Sequence, residues 1–422
     1  MAHLVLLSLA VSSVLTTPAA VSVLCVHTQD GFSQLAEDWH SLFERARCSH
    51  VFLSHEWMSE WWKHWGAGHK LFIIEVRNAD GRLIAIAPFY IRNPKHRGIG
   101  ARVLAFLASS YVASDHLDIL VEPGSESIAI PAIIQCVLRY RHQWDYIELA
   151  DCDTDSLVFT ELRYQCKAAH LREHVTKRPD RPYTPLPPQF NEFLSRLTAS
   201  VRRNFRRKLR NLQQEGQLEV VCLTHNAEIQ KHFADLLYLH RLRSEQIDRD
   251  SSLSDRKLVD FHISLLKRLA LRPWPRLYFL KVSGQTIASL YGFSIGKRFS
   301  LYQSGMHPQW TKLSPGMVMT GCGIQHCIET GHTEFDFLRG TEPYKREWTK
   351  YSRNAVTVRL FDRRWKGSAV LFRLRLRDQA AWLKRHLWRP AIRRWQQIVA
   401  KSQTVAPSPT SPDHDAASTA AG

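Results

Sequence analysis

The sequence predicts a chain of intermixed α and β structure (α+β), built as two tandem domains of similar design. Three observations point there. Short β-branched or aromatic runs alternate with helical spacings along most of the chain. Two hairpins echo one another, "GRLIA" at 81–85 and "GQTIA" at 284–288, each following one apolar strand and leading into a second. Between them "KRPDRPYTPLPP" (177–188) carries more proline than a helix or a central strand sustains, and marks a crossing between domains spanning 21–176 and 189–361. The 422 residues suffice for two domains, and 44% hydrophobic with 10% aromatic content excludes a disordered chain.

Element by element, "VSVLCVH" (21–27) reads as a strand. "GFSQLAEDWHSLFERA" (31–46) has Phe32, Leu35, Trp39, Leu42 and Phe43 at helical spacing. "SHEWMSEWWKHWG" (54–66) starts on a Ser cap and presents a tryptophan-rich helix face, either core or a ligand-stacking surface. "LFIIEV" and "RLIAIAPFYI" form a hairpin around Asp80–Gly81, followed by strand 118–121, a helix near 125–142 and strand 145–150. After the crossing, the spacing predicts helices over 189–215, 227–246 and 255–271, with strand 218–223 among them. A hairpin around Ser283–Gly284, the strand "RFSLYQSG", a helix from Pro315 to Thr330 and the strand "EFDFL" complete the second domain.

The net charge of +18 is concentrated. Residues 201–216 carry six Lys/Arg against one Glu, and residues 362–401 carry twelve against two, so these segments hold fifteen of the eighteen excess charges. A nearly neutral body with two basic elements suits anionic ligands or a membrane surface as well as RNA. In 362–401, Trp388, Ile392, Trp395 and Val399 share a helical face, fitting a peripheral membrane contact or packing on the body. Residues 402–422 read as a disordered tail. The eight cysteines form no CxxC pair, and Cys322 and His326 lack a second ligand pair, so no metal is expected. The apolar extension 1–20 lacks the basic start of a secretory signal, and a cytoplasmic body is expected.

The chemistry concentrates in 300–348. Ser314 is expected as N-cap, Pro315 suits the first helical turn, and Gly316, followed by Met317, leaves open backbone where a helix start favours an anion such as a pyrophosphate. The next strand runs into "FDFLRGTEPYKREW" (335–348), a cluster of titratable and aromatic groups that a plain turn does not need.

"SPGMV" with its helix and "FDFLRGTEPYK" resembles the GNAT-related acyltransferases of the cellulose-biosynthesis CelD type. "VRRNFRRKLRNLQQEG" (201–216) is similar to the basic helix opening that family's second domain. The family is distantly related to the FemAB aminoacyl ligases. Covering roughly 21–360, the resemblance implies tandem GNAT-like domains, each a mixed β-sheet flanked by helices. It also implies acyl transfer from acyl-CoA as a co-substrate, with no tightly bound cofactor, to an amine or hydroxyl. A small-molecule or saccharide acceptor follows by analogy. Direct transfer needs no covalent Cys or Ser, only positioning, a base and charge stabilisation. Asp336 or Glu342 is expected as general base or orienting carboxylate, Tyr344 as proton donor to the thiolate, and Arg339 or Lys345 as holder of phosphate or carboxylate. An ion pair between Asp336 and Arg339 or Lys345 is the structural alternative. Arg203 and Arg207, at i and i+4, are placed to grip a phosphate. Asp115 and His116 match the family's first-domain pattern and are expected at an inter-domain cleft, or in an exposed turn. "KHRGIG" (95–100) resembles the phosphate loop of ordinary GNAT enzymes but reads as a first-domain loop, because the helix such a loop opens is missing. Two rival readings are an aminoacyl transferase using aminoacyl-tRNA and a non-catalytic membrane-associated scaffold of a polysaccharide synthase.

Overall fold

Strands dominate wherever β-branched and aromatic residues alternate or run together, and short turns tie them into one sheet. The computed structural model describes residues 21–46, 50–92, 100–246, 253, 255–340 and 342–383. In chain order the first half holds β1 (Ser22–Val26), α1 (Gln29–Gln34), α2 (Ala36–Arg45), α3 (His55–Trp65), β2 (Lys70–Arg77), β3 (Leu83–Arg92), β4 (Val103–Phe106), β5 (Leu120–Val121), α4 (Glu126–Arg139), β6 (Tyr146–Asp153), α5 (Arg163–Ala168) and β7 (Arg172–Pro185). The second holds α6 (Phe190–Arg196), α7 (Ala199–Gln214), β8 (Leu218–Leu223), α8 (Asn226–Gln246), α9 (Arg256–Arg268), β9 (Pro275–Val282), β10 (Gln285–Ile295), β11 (Arg298–Met306), α10 (Pro315–Glu329), β12 (Glu334–Asp336), α11 (Pro343–Trp348), β13 (Ser352–Phe361) and α12 (Trp365–Leu383). The helix expected over 189–215 is thus two, and Thr198 caps the second through its side chain, which accepts from Val201 N.

The strands form one mixed sheet in the order β1-β2-β3-β4-β6-β13-β7-β12-β11-β10-β9-β8, with β5 beside β3. Pairing senses repeat. Along β1-β2-β3-β4-β6-β13 they are three antiparallel, one parallel (β4 with β6) and one antiparallel. Along β8-β9-β10-β11-β12-β7 they are the same, with β11 and β12 parallel. The closing strands are exchanged: β13 lies beside β6, β7 lies beside β12, and β7 and β13 pair with each other.

The proline-rich crossing is therefore a strand at the middle of the sheet, contrary to expectation. The reason is where its prolines fall. The β7–β13 register shifts between Arg181 and Arg178, so Pro179 sits in a bulge, while Pro182 and Pro185 lie toward the strand's end. Residues 21–367 belong to one compact unit; the second unit, from residue 368, is described only as the remainder of α12 to Leu383. Trp388, Ile392, Trp395, Val399 and the tail lie outside the described residues, as do the apolar extension and residues 93–99 of the glycine-containing loop. Among the described residues no helix is long and apolar enough to cross a membrane.

The tryptophans of α3 are core. Trp57 and Trp61 are fully buried, and their indole N–H groups donate to Ser114 Oγ (3.0 Å) and Ser110 O (2.8 Å). They pin the segment after β4, whose Ala108, Tyr111, Ala113 and His116 all have positive φ. On the other half, Gly321 lets α10 close on α7: a Cβ there would stand 2.2 Å from the Phe205 ring.

Candidate active site

β11 and β12 pair over only three residues each, Arg298–Ser300 with Glu334–Asp336; β11 then continues to Met306 while the other chain turns away. A cleft opens at the carboxyl ends of these parallel strands, as such geometry favours. It holds a cavity of about 280 Å³ lined from β11 by Leu301 to Ser304, from the segment beyond β12 by Phe337 to Arg339, and by Glu342, Tyr344, Lys345, Asp115 and the α8 residues His240, Arg243 and Ser244.

Gly340, with φ +139°, makes the turn into α11; a Cβ there would lie 2.0 Å from Glu342 Oε2 and 2.5 Å from Lys345 Nζ. That close approach is what the glycine is for. Lys345, buried, donates to Arg339 O at 2.6 Å and pairs with Glu342 Oε2 at 3.1 Å. Burial lowers its pKa against the pull of Glu342. Burial pushes Tyr344 up to about 12. Asp115 accepts from Arg181 Nε (2.9 Å) and Arg339 Nε (2.8 Å) on one oxygen and from Arg339 N (2.8 Å) on the other. Burial favours its neutral form, but Arg181 and then Arg339 outweigh that and hold it below the usual carboxylate range. Asp115 thus fixes the backbone and side chain of Arg339 from across the sheet.

Beneath this lip His116 lies between two carboxylates, with Nδ1 2.5 Å from Asp153 Oδ2 and Nε2 2.8 Å from Asp336 Oδ2. Burial opposes its charge, yet Asp336 and Asp153 prevail and raise it to about 9. It stacks on His50 at 4.0 Å, whose own pKa is driven well below normal by burial and then by His116. His50, His116 and Asp336 have the composition of a metal site. Arg298 Nη1 stands 2.9 Å from His50 Nε2, so that nitrogen accepts and Nδ1 keeps the proton, while Arg353 approaches Asp336 to 4.0 Å. The cluster is arranged as an imidazolium between carboxylates.

Asp336 itself is fully buried, accepts from Leu338 N at 2.8 Å, and lines no part of the cleft cavity. Its expected partners are also different: Arg339 pairs with Asp115 and Lys345 with Glu342, so the ion pair foreseen for Asp336 is made with His116 instead. His116 turns away from the cleft and borders a separate cavity of about 660 Å³. Neither Asp115 nor His116 lies in an exposed turn.

A neighbouring cavity of about 290 Å³ adjoins the start of α10, with Ser314, Gly316 and Met317 in its wall. Pro315 occupies the first turn as expected but is buried and not in that wall. Ser314 stands at the N-cap position in a left-handed conformation (φ 55°) without a side-chain capping bond. Gly316 is open: a Cβ would meet only Met306 Sδ, at 3.6 Å. The buried Ser289 hydroxyl in the same wall has no hydrogen-bond partner among the described residues. Arg203 and Arg207 are exposed on α7 and line neither cavity; Arg207 donates to Asn204 Oδ1 (2.8 Å), and it is Asn204 that reaches the wall. The sequence reading missed His240, Arg243 and Ser304. The signal for the first two is the spacing of His240, Arg243 and Ser244 at i, i+3 and i+4, one face of a helix; Ser304, on β11, carries none.

Residues 199–346 match the family model described as an acetyltransferase (GNAT) domain. The whole architecture is similar to the crystal structure of FemX, at 12% identity and a TM-score of 0.57, covering 80% of this chain and 96% of that one. It is also similar to a conserved protein of unknown function from Bacteroides thetaiotaomicron, at 9% identity and a TM-score of 0.51, covering 80% and 100%. No curated protein sequence matches. The chain carries a GNAT acetyltransferase domain in an α+β fold, and it is an acyltransferase.

Proposed function

We propose that the protein moves an acyl group from acyl-CoA to an amine or hydroxyl of a small-molecule or saccharide acceptor, through a ternary complex in the β11–β12 cleft. The observation that carries this reading is that two cavities share part of their walls. One adjoins the α10 start, and the other holds the Glu342–Lys345 pair; both have Tyr344, Ser304 and Arg243 in their walls. The donor's phosphates would lie at Gly316, beside Met317, where the open helix start and its dipole favour an anion; the Met317 N–H itself donates to Ser314 O at 3.1 Å. The acceptor would sit against Glu342, which takes its proton, with Lys345 and Arg339 orienting it. Tyr344, at about 12, suits a neutral hydrogen-bond donor better than an acid for a thiolate whose thiol titrates near 8.5.

The repeated strand order supports reading the chain as tandem GNAT-like domains (21–176 and 189–361) with exchanged closing strands. The first would serve the second by presenting Asp115. Beyond its own parallel pair, β4 and β6, the chain runs through a largely buried segment, with Leu107, Val112, Leu117 and Ile119 in the core, rather than into an open helix start. The resemblance to CelD-type enzymes favours a saccharide acceptor in polysaccharide or cell-envelope synthesis. Acyl-CoA supply favours the cytoplasm, with peripheral membrane contact through 362–401. The exposed Arg203, Arg206, Arg207 and Arg210, with no carboxylate within 4.0 Å among the described residues, favour an aminoacyl-tRNA donor as second reading.

Thermal-shift titration with acetyl-CoA and longer acyl-CoAs, and thiol release over a panel of amino sugars and sugar alcohols, test this. Saturable stabilisation that Gly316→Trp abolishes is expected. Glu342→Gln should bind the donor normally but turn over about 100-fold more slowly or worse. A folded protein that ignores every CoA species and responds to aminoacyl-tRNA would establish the second reading.

A further inference from the structure

On the acyl-CoA reading the carbonyl under attack lies at the wall the two cavities share, and Arg243 is part of that wall. It differs from the other cations of the acceptor cavity. Arg339 is paired with Asp115, and Lys345 with Glu342. Arg243 has no carboxylate within 4.0 Å among the described residues. Its Nη1 donates to Ser304 Oγ at 2.9 Å, and its guanidinium carbon lies 5.7 Å from the centre of the Tyr344 ring. Among the described residues, then, a half-buried cation is held in one place by a neutral hydroxyl, with its charge left to meet a ligand. The reaction itself creates an anion.

We propose that Arg243 is a catalytic residue that binds the oxyanion formed when the acceptor attacks the thioester; this rests on the acyl-CoA reading above. In that step the acceptor's lone pair forms the new C–N or C–O bond, the carbonyl π pair moves onto oxygen, and Glu342 takes the acceptor's proton. The oxygen pair then re-forms the carbonyl as the C–S bond breaks. The CoA thiolate leaves and takes up, through solvent, the proton that Glu342 returns. Four of the five guanidinium N–H donors are not used on Ser304, enough to meet the oxyanion beside the Tyr344 hydroxyl. Because full charge exists only after attack, the contact favours the transition state over the bound substrate.

The test is isotope-edited infrared spectroscopy of [1-13C]acetyl-CoA bound to the full chain, beside steady-state kinetics. In the wild type the thioester carbonyl band should lie below its position in Arg243→Gln. Arg243→Lys, which keeps a cation and guards against a misfolded variant, should fall between. Arg243→Gln should lose about 100-fold in kcat, with acetyl-CoA affinity changed less than about threefold. Identical carbonyl bands in wild type and Arg243→Gln would overturn the role, as would a loss confined to acetyl-CoA affinity, which would make Arg243 a donor anchor. Failure of the wild type to bind acetyl-CoA would overturn the acyl-CoA reading together with this role; binding without a band shift overturns only the role of Arg243.

Discussion

His116 illustrates how a single residue ties the two halves of the sheet together. The loop after β4 delivers it between Asp153, of its own half, and Asp336, at the end of β12, and the same loop delivers Asp115 to Arg339. Since its pKa rises from an ordinary 6.5 to about 9 on folding, its charge stabilises the protein fully below about pH 6.5 and ceases to do so as pH rises through about 9. Asp153 and Asp336 are depressed below 3.8, so their share is present above that value and lost as pH falls further. Denaturant unfolding of wild type and His116→Gln across this alkaline window should show a falling stability only in the wild type. Parallel slopes would mean that the imidazole is neutral in the folded protein. In the sequence Asp336 alternates with Phe335 and Phe337, which points it to the opposite face from those rings and makes it a candidate base; its partner lies 220 positions earlier, and no local pattern reveals such a pairing.

At the scale of elements, the legible parts were those encoded locally. Asp80–Gly81 and Ser283–Gly284 make the turns their residues suggest, with positive φ at Gly81, Ser283 and Gly284, and Pro315 opens α10 where expected. β7 was misread because its prolines forbid a central strand unless a bulge receives them, and bulges are set by the partner strand. β13 went unread altogether, although it is the strand that joins the halves. Val358 lies within it, paired with Leu149 on one side and Val175 on the other. Val358→Pro removes a ladder hydrogen bond and leaves its buried acceptor unpaired, and should cost about 1–3 kcal/mol, measurable as a lowered urea midpoint. A change within error would mean that this pairing contributes little to stability.

For the molecule as a whole, the shared centre of the sheet predicts that residues 21–367 unfold together. Amide exchange should show protection in β2–β3 and in β9–β10 disappearing at the same denaturant concentration; two separated losses would mean that each half stands alone. The same exchange of closing strands bears on synthesis. β6 has β4 on one side early, but gains its second neighbour only when Phe361 has been made, long after its own residues have left the ribosome. Until then the nascent chain carries an unpaired strand edge, which invites aggregation and delays completion of the sheet. An acyltransferase built this way is inactive until nearly its entire body has been translated, and its yield in the cell is set by how well that waiting edge is shielded.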